Sequence, residues 1–304
     1  MKSLTTDAFD RACEFVQRIG RPLEQAQLRY IFGEGTVDEV LTELSKFQND
    51  DGGFGHGMEP DIRMPNSSPL CSSVAFQVLR ELEVSDDYEI VRSGISYFAN
   101  SYQPEIGGWD PTGPDVDEYD RAPWWDYSPI EGRLTPLKVA NPGSEICGYL
   151  KLFSAGDASN LVVDQVVEDL LNLFFDLPDE IETHALMCFM RMAEMLSDEV
   201  TERMLPKLVR ASHLAVSENA DDWRGYGGRP LWFAPAPSSL LASEFSISVE
   251  TQLNFEIDSQ NADGGWLPVW SYGDRSVALQ QATNEWAGWL TLRNLIAFKS
   301  LGRI

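Results

Sequence analysis

The densest set of side chains able to move protons or hold a cation lies in QNDDGGFGHGMEPDIR, residues 48–63. Within it, Gly55-His56-Gly57-Met58-Glu59-Pro60-Asp61 offers one imidazole and two carboxylates on a short stretch. These types suit general acid–base work, or coordination of one divalent cation such as Mg. The plainer role for Glu59 and Asp61 is to cap a helix starting near Pro69 or to pair with Arg63. A second concentration is Asp115-Val116-Asp117-Glu118, which with Asp120 puts four acids into six residues. Crowded carboxylates resist ionising together, so one of them can retain a proton at neutral pH. Its plainer reading is a solvated acidic loop, since the whole chain is acidic. Trp124, Trp125 and Tyr127 follow closely, and aromatic faces can stabilise a developing positive charge. His184 and Cys188 share one helix face at i, i+4, but THALMCFMRM is apolar enough to read as a buried face rather than a metal site. Neither Asp86-Asp87 nor Asp221-Asp222 completes a diphosphate-binding motif.

These residues must be positioned by helices. Apolar positions recur at helical spacing near 6–19, 22–33, 37–47, 69–82, 88–101, 143–154, 160–175, 181–196, 199–216, 247–258 and 282–300. A weaker helix is expected near 238–245, and no convincing period-2 strand competes. Thr36 and Glu39 form a capping box, and Asn141-Pro142 places a cap before a proline at a helix start. Residues 110–140 form a long connection with Pro111, Pro114, Pro123, Pro129 and Pro136. Its aromatic residues argue for an ordered, functional loop. No low-complexity linker divides the chain, so residues 1–304 are expected to form a single domain.

The pattern Q-x-x-x-G-G-[F/W] occurs three times, at Gln48–Phe54, Gln103–Trp109 and Gln260–Trp266. A degenerate fourth copy, Trp223–Arg229, keeps only the diglycine. Each clear copy follows an amphipathic helix, where glycine can end the helix and the glutamine amide can satisfy orphan carbonyls. The pattern resembles the QW repeat of squalene–hopene and oxidosqualene cyclases, within the wider terpenoid cyclase and prenyltransferase β-subunit superfamily. That resemblance implies an all-α (α/α)6 toroid around an aromatic, acidic cavity. Class II terpene cyclases protonate an alkene or epoxide from Asp-x-Asp-Asp, so the near match at Asp115–Glu118 makes Asp117 the expected acid. His56, Glu59 and Asp61 would then tune the proton supply or take the final proton. Candidate substrate-binding aromatics are Trp109, Trp124, Trp125, Tyr127, Trp232, Trp266 and Trp270. Two departures are clear. The chain has room for one helical domain where triterpene cyclases have two. No cysteine is preceded by the aspartate of the prenyltransferase zinc motif.

Composition narrows the partners. With 43% apolar residues the chain can bury a full core. A formal charge of −25, with only six lysines, repels phosphate backbones and excludes nucleic acid as a natural partner. It also favours a neutral isoprenoid-like substrate over a diphosphate, unless a cation such as Mg bridges the latter; no cofactor is otherwise implied. Scattered Cys13, Cys71, Cys147 and Cys188 read as free thiols in a reducing compartment. The N-terminal stretch carries acids where a signal peptide needs an apolar run, and no segment reaches bilayer-spanning length. A cytoplasmic protein is expected, at most touching a membrane peripherally; the sequence sets no oligomeric state. A small class II terpene-cyclase-like enzyme is the favoured reading. Its rivals are a carbohydrate-active toroid using paired carboxylates and a non-catalytic binding toroid.

Overall fold

The computed structural model describes residues 2–130, 136–153 and 163–304. Among them the secondary structure is all-α, with isolated bridges but no strand. In chain order the helices are α1 Thr6–Ile19, α2 Pro22–Phe32, α3 Val37–Leu44, α4 Pro69–Glu81, α5 Glu89–Asn100 and α6 Pro136–Phe153. They continue with α7 Val163–Asp176, α8 Thr183–Met195, α9 Asp198–Ala215, α10 Pro230–Phe233, α11 Ser246–Ser259 and α12 Gln280–Ser300. The expected helical positions 154 and 160–162, and residues 131–135 of the long connection, lie outside the described residues. None of the described helices is long and apolar enough to cross a membrane.

Local chemistry explains most helix starts. Thr5 and Ser68 accept the amides of Ala8 and Cys71, and the Thr36–Glu39 capping box forms in both directions. Pro22, Pro69 and Pro230 sit in first turns, where a missing N–H is harmless. One expectation fails. Residues 238–245 are turns, and the short helix lies upstream as α10. Pro235 and Pro237 stop it, because neither can donate the amide that helix continuation needs. Within α6, the backbone leaves helical geometry at Asn141 (φ −111°, ψ 109°), immediately before Pro142.

The chain divides into two compact units, Met1–Lys46 with Val216–Ile304, and Phe47–Ala215. In the second, α6 packs against α4, α5, α7 and α8, and α8 against α9. Helices α4 and α8 are buried on nearly every side, whereas α5 and α7 bury one stripe. Small residues let the buried helices approach closely: Gly148 of α6 faces Met192 and Met195 of α8. In the first unit, α12 lies against α1 and α2, α2 against α3, and α10 against α11.

Two of the three clear copies, one in each unit, share one geometry. Gln48 Nε2 donates to Gly52 O at 2.9 Å and to Ile90 O in α5 at 3.1 Å. Gln260 Nε2 donates to Gly264 O and to Ala8 O in α1, both at 2.8 Å. In each copy the diglycine presses on the helix that receives the glutamine. A Cβ on Gly52 would overlap the Ser93 carbonyl, and one on Gly264 the Arg11 carbonyl. Gly53 and Gly265 likewise abut the rings of Tyr97 and Phe15. The spacing Ile90, Ser93, Tyr97 repeats as Ala8, Arg11, Phe15, so the register is conserved between copies. The aromatic position closes the unit from the other side. Phe54 N and Trp266 N donate to Ser72 Oγ of α4 and Thr291 Oγ1 of α12, at 2.9 and 3.0 Å. The indoles of Trp109 and Trp266 donate to Phe98 O and Glu256 O, in the preceding helices.

Gly52 and Gly264 also have φ of +86° and +92°, which side chains disfavour. Gly52→Ala and Gly264→Ala should each lower stability by about 2–4 kcal/mol in urea denaturation. Gly227→Ala, at an unobstructed position without positive φ, should change it by less than about 0.5 kcal/mol.

Candidate active site

In the second unit, the segment after the first repeat folds against the segment after the second. Their backbones meet through Ala122 N to Asp61 O and Arg63 N to Asp120 O, both 2.9 Å, with Ile62 and Arg121 bridged antiparallel. Leu70 N, in the first turn of α4, donates to Pro111 O at 3.0 Å, tying this pair of loops to the helix. Below it Ile62, Met64, Leu70 and Val116 form a buried apolar cluster, with Tyr119, Trp125 and Tyr127 packed on its edge. Glu59 and Asp61 are carried into this setting with only 8% and 3% of their surface exposed. The α4 cap is supplied by Ser68, so capping is not why the two acids are buried. His56 adopts φ +55° and stays exposed, its Nε2 2.8 Å from Asn49 Oδ1. Thus Glu59 and Asp61 go inward and His56 faces outward.

Asp117 sits in a different environment. Its side chain is 48% exposed and pairs with Arg121 Nη2 at 2.6 Å. It also accepts the Tyr127 amide at 3.0 Å. Arg121 reaches Asp126 at 2.9 Å as well, so Asp117 acts as an organiser of the loop. Asp117, expected from sequence to be the proton donor, is therefore half-exposed and held at the solvent side of the loop by its arginine. Of the Asp115–Glu118 run only Val116 is buried.

The candidate aromatics separate into three sets. Trp109 and Trp266 are core residues whose indole N–H groups are taken by backbone carbonyls, so packing rather than substrate contact explains them. Trp124 is half exposed, and Trp125 and Tyr127 pack against the apolar cluster. The buried Trp125 Nε1 has no hydrogen-bond partner among the described residues. In the first unit, Trp232 and Trp270 join residues not singled out from sequence. Tyr226 lies 6.0 Å from Trp232 and 5.7 Å from Trp270, ring centre to ring centre. Trp286 follows at 5.4 Å from Trp270, then Trp289 at 5.2 Å from Trp286, all edge to face. The i, i+3 spacing of Trp286 and Trp289 was the available signal for this row.

Sequence reasoning also missed Glu145. This carboxylate, 1% exposed, lies among α4, α6 and α8. It accepts Tyr149 OH at 2.5 Å, Arg191 Nη1 at 3.0 Å and Gln77 Nε2 at 3.3 Å, with Cys188 Sγ at 3.7 Å. Burial first, then the adjacent Glu145 charge, pushes Tyr149 and Cys188 well above their ordinary ranges, so both stay protonated as donors. Cys188 is therefore committed to this network, while His184 Nδ1 lies 2.7 Å from Glu182. Among the described residues no three His, Cys, Asp or Glu side chains converge as a metal cage. An acid immediately before the apolar run Ile146–Leu150 was the available clue, but its arginine partner lies 46 residues away.

Comparison of the chain with family models, curated proteins and solved structures returns no match.

Removing one partner of a buried pair strands the other charge. Arg191→Met and Glu145→Leu should each lower stability by about 3 kcal/mol in chemical denaturation, and the double variant should recover most of that loss. Losses that simply add would show that the two residues are not coupled.

Proposed function

We propose that this chain is a single-domain (α/α)6 toroid that cyclises a neutral isoprenoid or similar polyene by protonation, with Asp61 as the acid. The observation that carries the chemistry is the burial of Asp61 and Glu59 on the loop after the first repeat, a loop that also gives Ile62 and Met64 to an apolar cluster edged by aromatic rings. Support for the toroid comes from the shared register of the repeats and from Gln260, which returns the end of α11 to α1. The described residues hold twelve helices, the number that six helical pairs require.

In this reading the Asp61 carboxyl proton moves to one carbon of a terminal alkene, leaving an aspartate and a tertiary carbocation. Attack by the next double bond closes a ring and moves the cation along the chain. Glu59 takes the final proton as a new double bond forms, and proton transfer back to Asp61 restores the starting state. Trp125 and Tyr127 offer ring faces to the cation, and Arg121 holds the loop through Asp117 and Asp126. His56 lies at the surface of the same loop. A polyene needs no charged anchor, which suits a chain of net charge −25.

A second reading rests on the aromatic row of the first unit. Tyr226 is 56% exposed, and exposed aromatic faces are what sugar rings stack on, so a carbohydrate-active protein is the rival.

The two are separated by incubating the protein with neutral polyenes and with an oligosaccharide panel, then analysing products by mass spectrometry. Cyclised, isomeric polyene products are expected. Asp61→Asn should lower their rate about 10³-fold, while Asp117→Asn leaves it within about threefold. Full activity in Asp61→Asn, or sugar cleavage with no polyene turnover, would overturn the cyclase reading.

A further inference from the structure

Asp61 raises a question of access, because a residue only 3% exposed cannot touch a polyene until something in the structure moves. The segment bonded to it, residues 110–127, is built as a compact loop that braces itself. Its two ends meet where the Tyr127 hydroxyl donates to the Asp110 carboxylate. Inside the loop Arg121 pairs with both Asp117 and Asp126, and its Nη1 donates to Asp117 O and Tyr119 O, both at 3.1 Å. Asp117 in turn accepts the Tyr127 amide. Compact surface loops with adjacent ends, packed by their own side chains, are frequently functional.

The fastening to residues 61–63 is of a different kind. It runs through the backbone bonds Ala122 N to Asp61 O and Arg63 N to Asp120 O. It also runs through Val116, a fully buried peg in the cluster with Ile62, Met64 and Leu70. At the start of the loop Gly113 has φ +72°, and a Cβ there would meet nothing within 4 Å, so this point of the backbone has room to turn. We propose that residues 113–127 form a lid that swings as one body about Gly113. Opening breaks the two backbone bonds, withdraws Val116 and uncovers Asp61. The internal braces travel with the loop, so opening costs the contacts with residues 61–63 and their cluster rather than the fold of the loop itself. That the opening admits a polyene rests on the cyclase reading; the motion does not.

Native-state hydrogen exchange of the full-length protein tests the motion. Protection factors of the Arg63 and Ala122 amides should agree within about threefold and lie at least about 100-fold below those in the middle of α4. Val116→Ala, which shortens the peg, should lower both by about tenfold. Ile62 and Arg121 face each other across the antiparallel bridge as a pair not bonded to each other, the close spacing that suits a disulfide. In the Ile62→Cys/Arg121→Cys double variant, oxidation should raise the two protection factors to the α4 level and stop polyene cyclisation, and reduction should reverse both effects. Comparing one variant in its two redox states cancels the loss of Arg121. The lid is overturned if the two amides are as protected as α4, or if they differ by more than about threefold. It is also overturned if the oxidised variant cyclises polyenes as fast as the reduced one. Opening seen by exchange, with no cyclisation by the unsubstituted protein, would remove the cyclase reading and leave the lid standing.

Discussion

Much of this structure depends on a small interaction made twice in the same way: a glutamine amide reaching from a glycine turn to a carbonyl in the first half of another helix. Gln48 does this to Ile90, and Gln260 to Ala8, near the opposite end of the chain. The turn can approach so closely only because Gly52 and Gly264 lack a Cβ at the point of contact with Ser93 and Arg11. Glycine and glutamine therefore act together, one permitting the approach and the other supplying the directional bond. The following aromatic residue then donates its amide to Ser72 or Thr291 of a buried helix. One seven-residue motif thus holds one helix by its carbonyls and another by a hydroxyl.

Buried helices held this closely must place any polar side chain with care. Glu145 illustrates the demand: donors from α4, α6 and α8 converge on a single carboxylate. Such a network adds less net stability than its short distances suggest, because both charges lose their water. Its physical effect is directional. A slip of one helix along another would break several bonds at once, which apolar packing alone would resist less sharply.

The acids of the two loops show how environment divides identical side chains into different tasks. Asp117 and Asp61 belong to backbone segments hydrogen-bonded to each other, yet one is half exposed against Arg121 and the other almost fully buried. Asp117 organises its loop through Arg121 and the Tyr127 amide, whereas Asp61 is withdrawn from solvent. The near match to a protonation motif pointed to the exposed acid. Its chemistry fits the motif, but its surroundings do not.

Helix type, the Thr36–Glu39 capping box and the diglycine turns were legible in the sequence, because each rests on short-range rules. The Thr36–Glu39 box, proline in first turns and diglycine after an amphipathic helix involve residues within about one or two helical turns. The short helix was misplaced because Pro235 and Pro237 outweigh the apolar pattern beyond them. Burial could not be read in the same way. Whether a carboxylate is dry depends on residues far along the chain, as Glu145 depends on Arg191 and the Asp61 loop on residues 116–127. Sequence alone determined which local conformations each segment could adopt and which residue types were available for chemistry. Only the tertiary structure decided which acids lost their water and which donors lost their partners, because solvation is set by neighbours that the chain brings together from a distance.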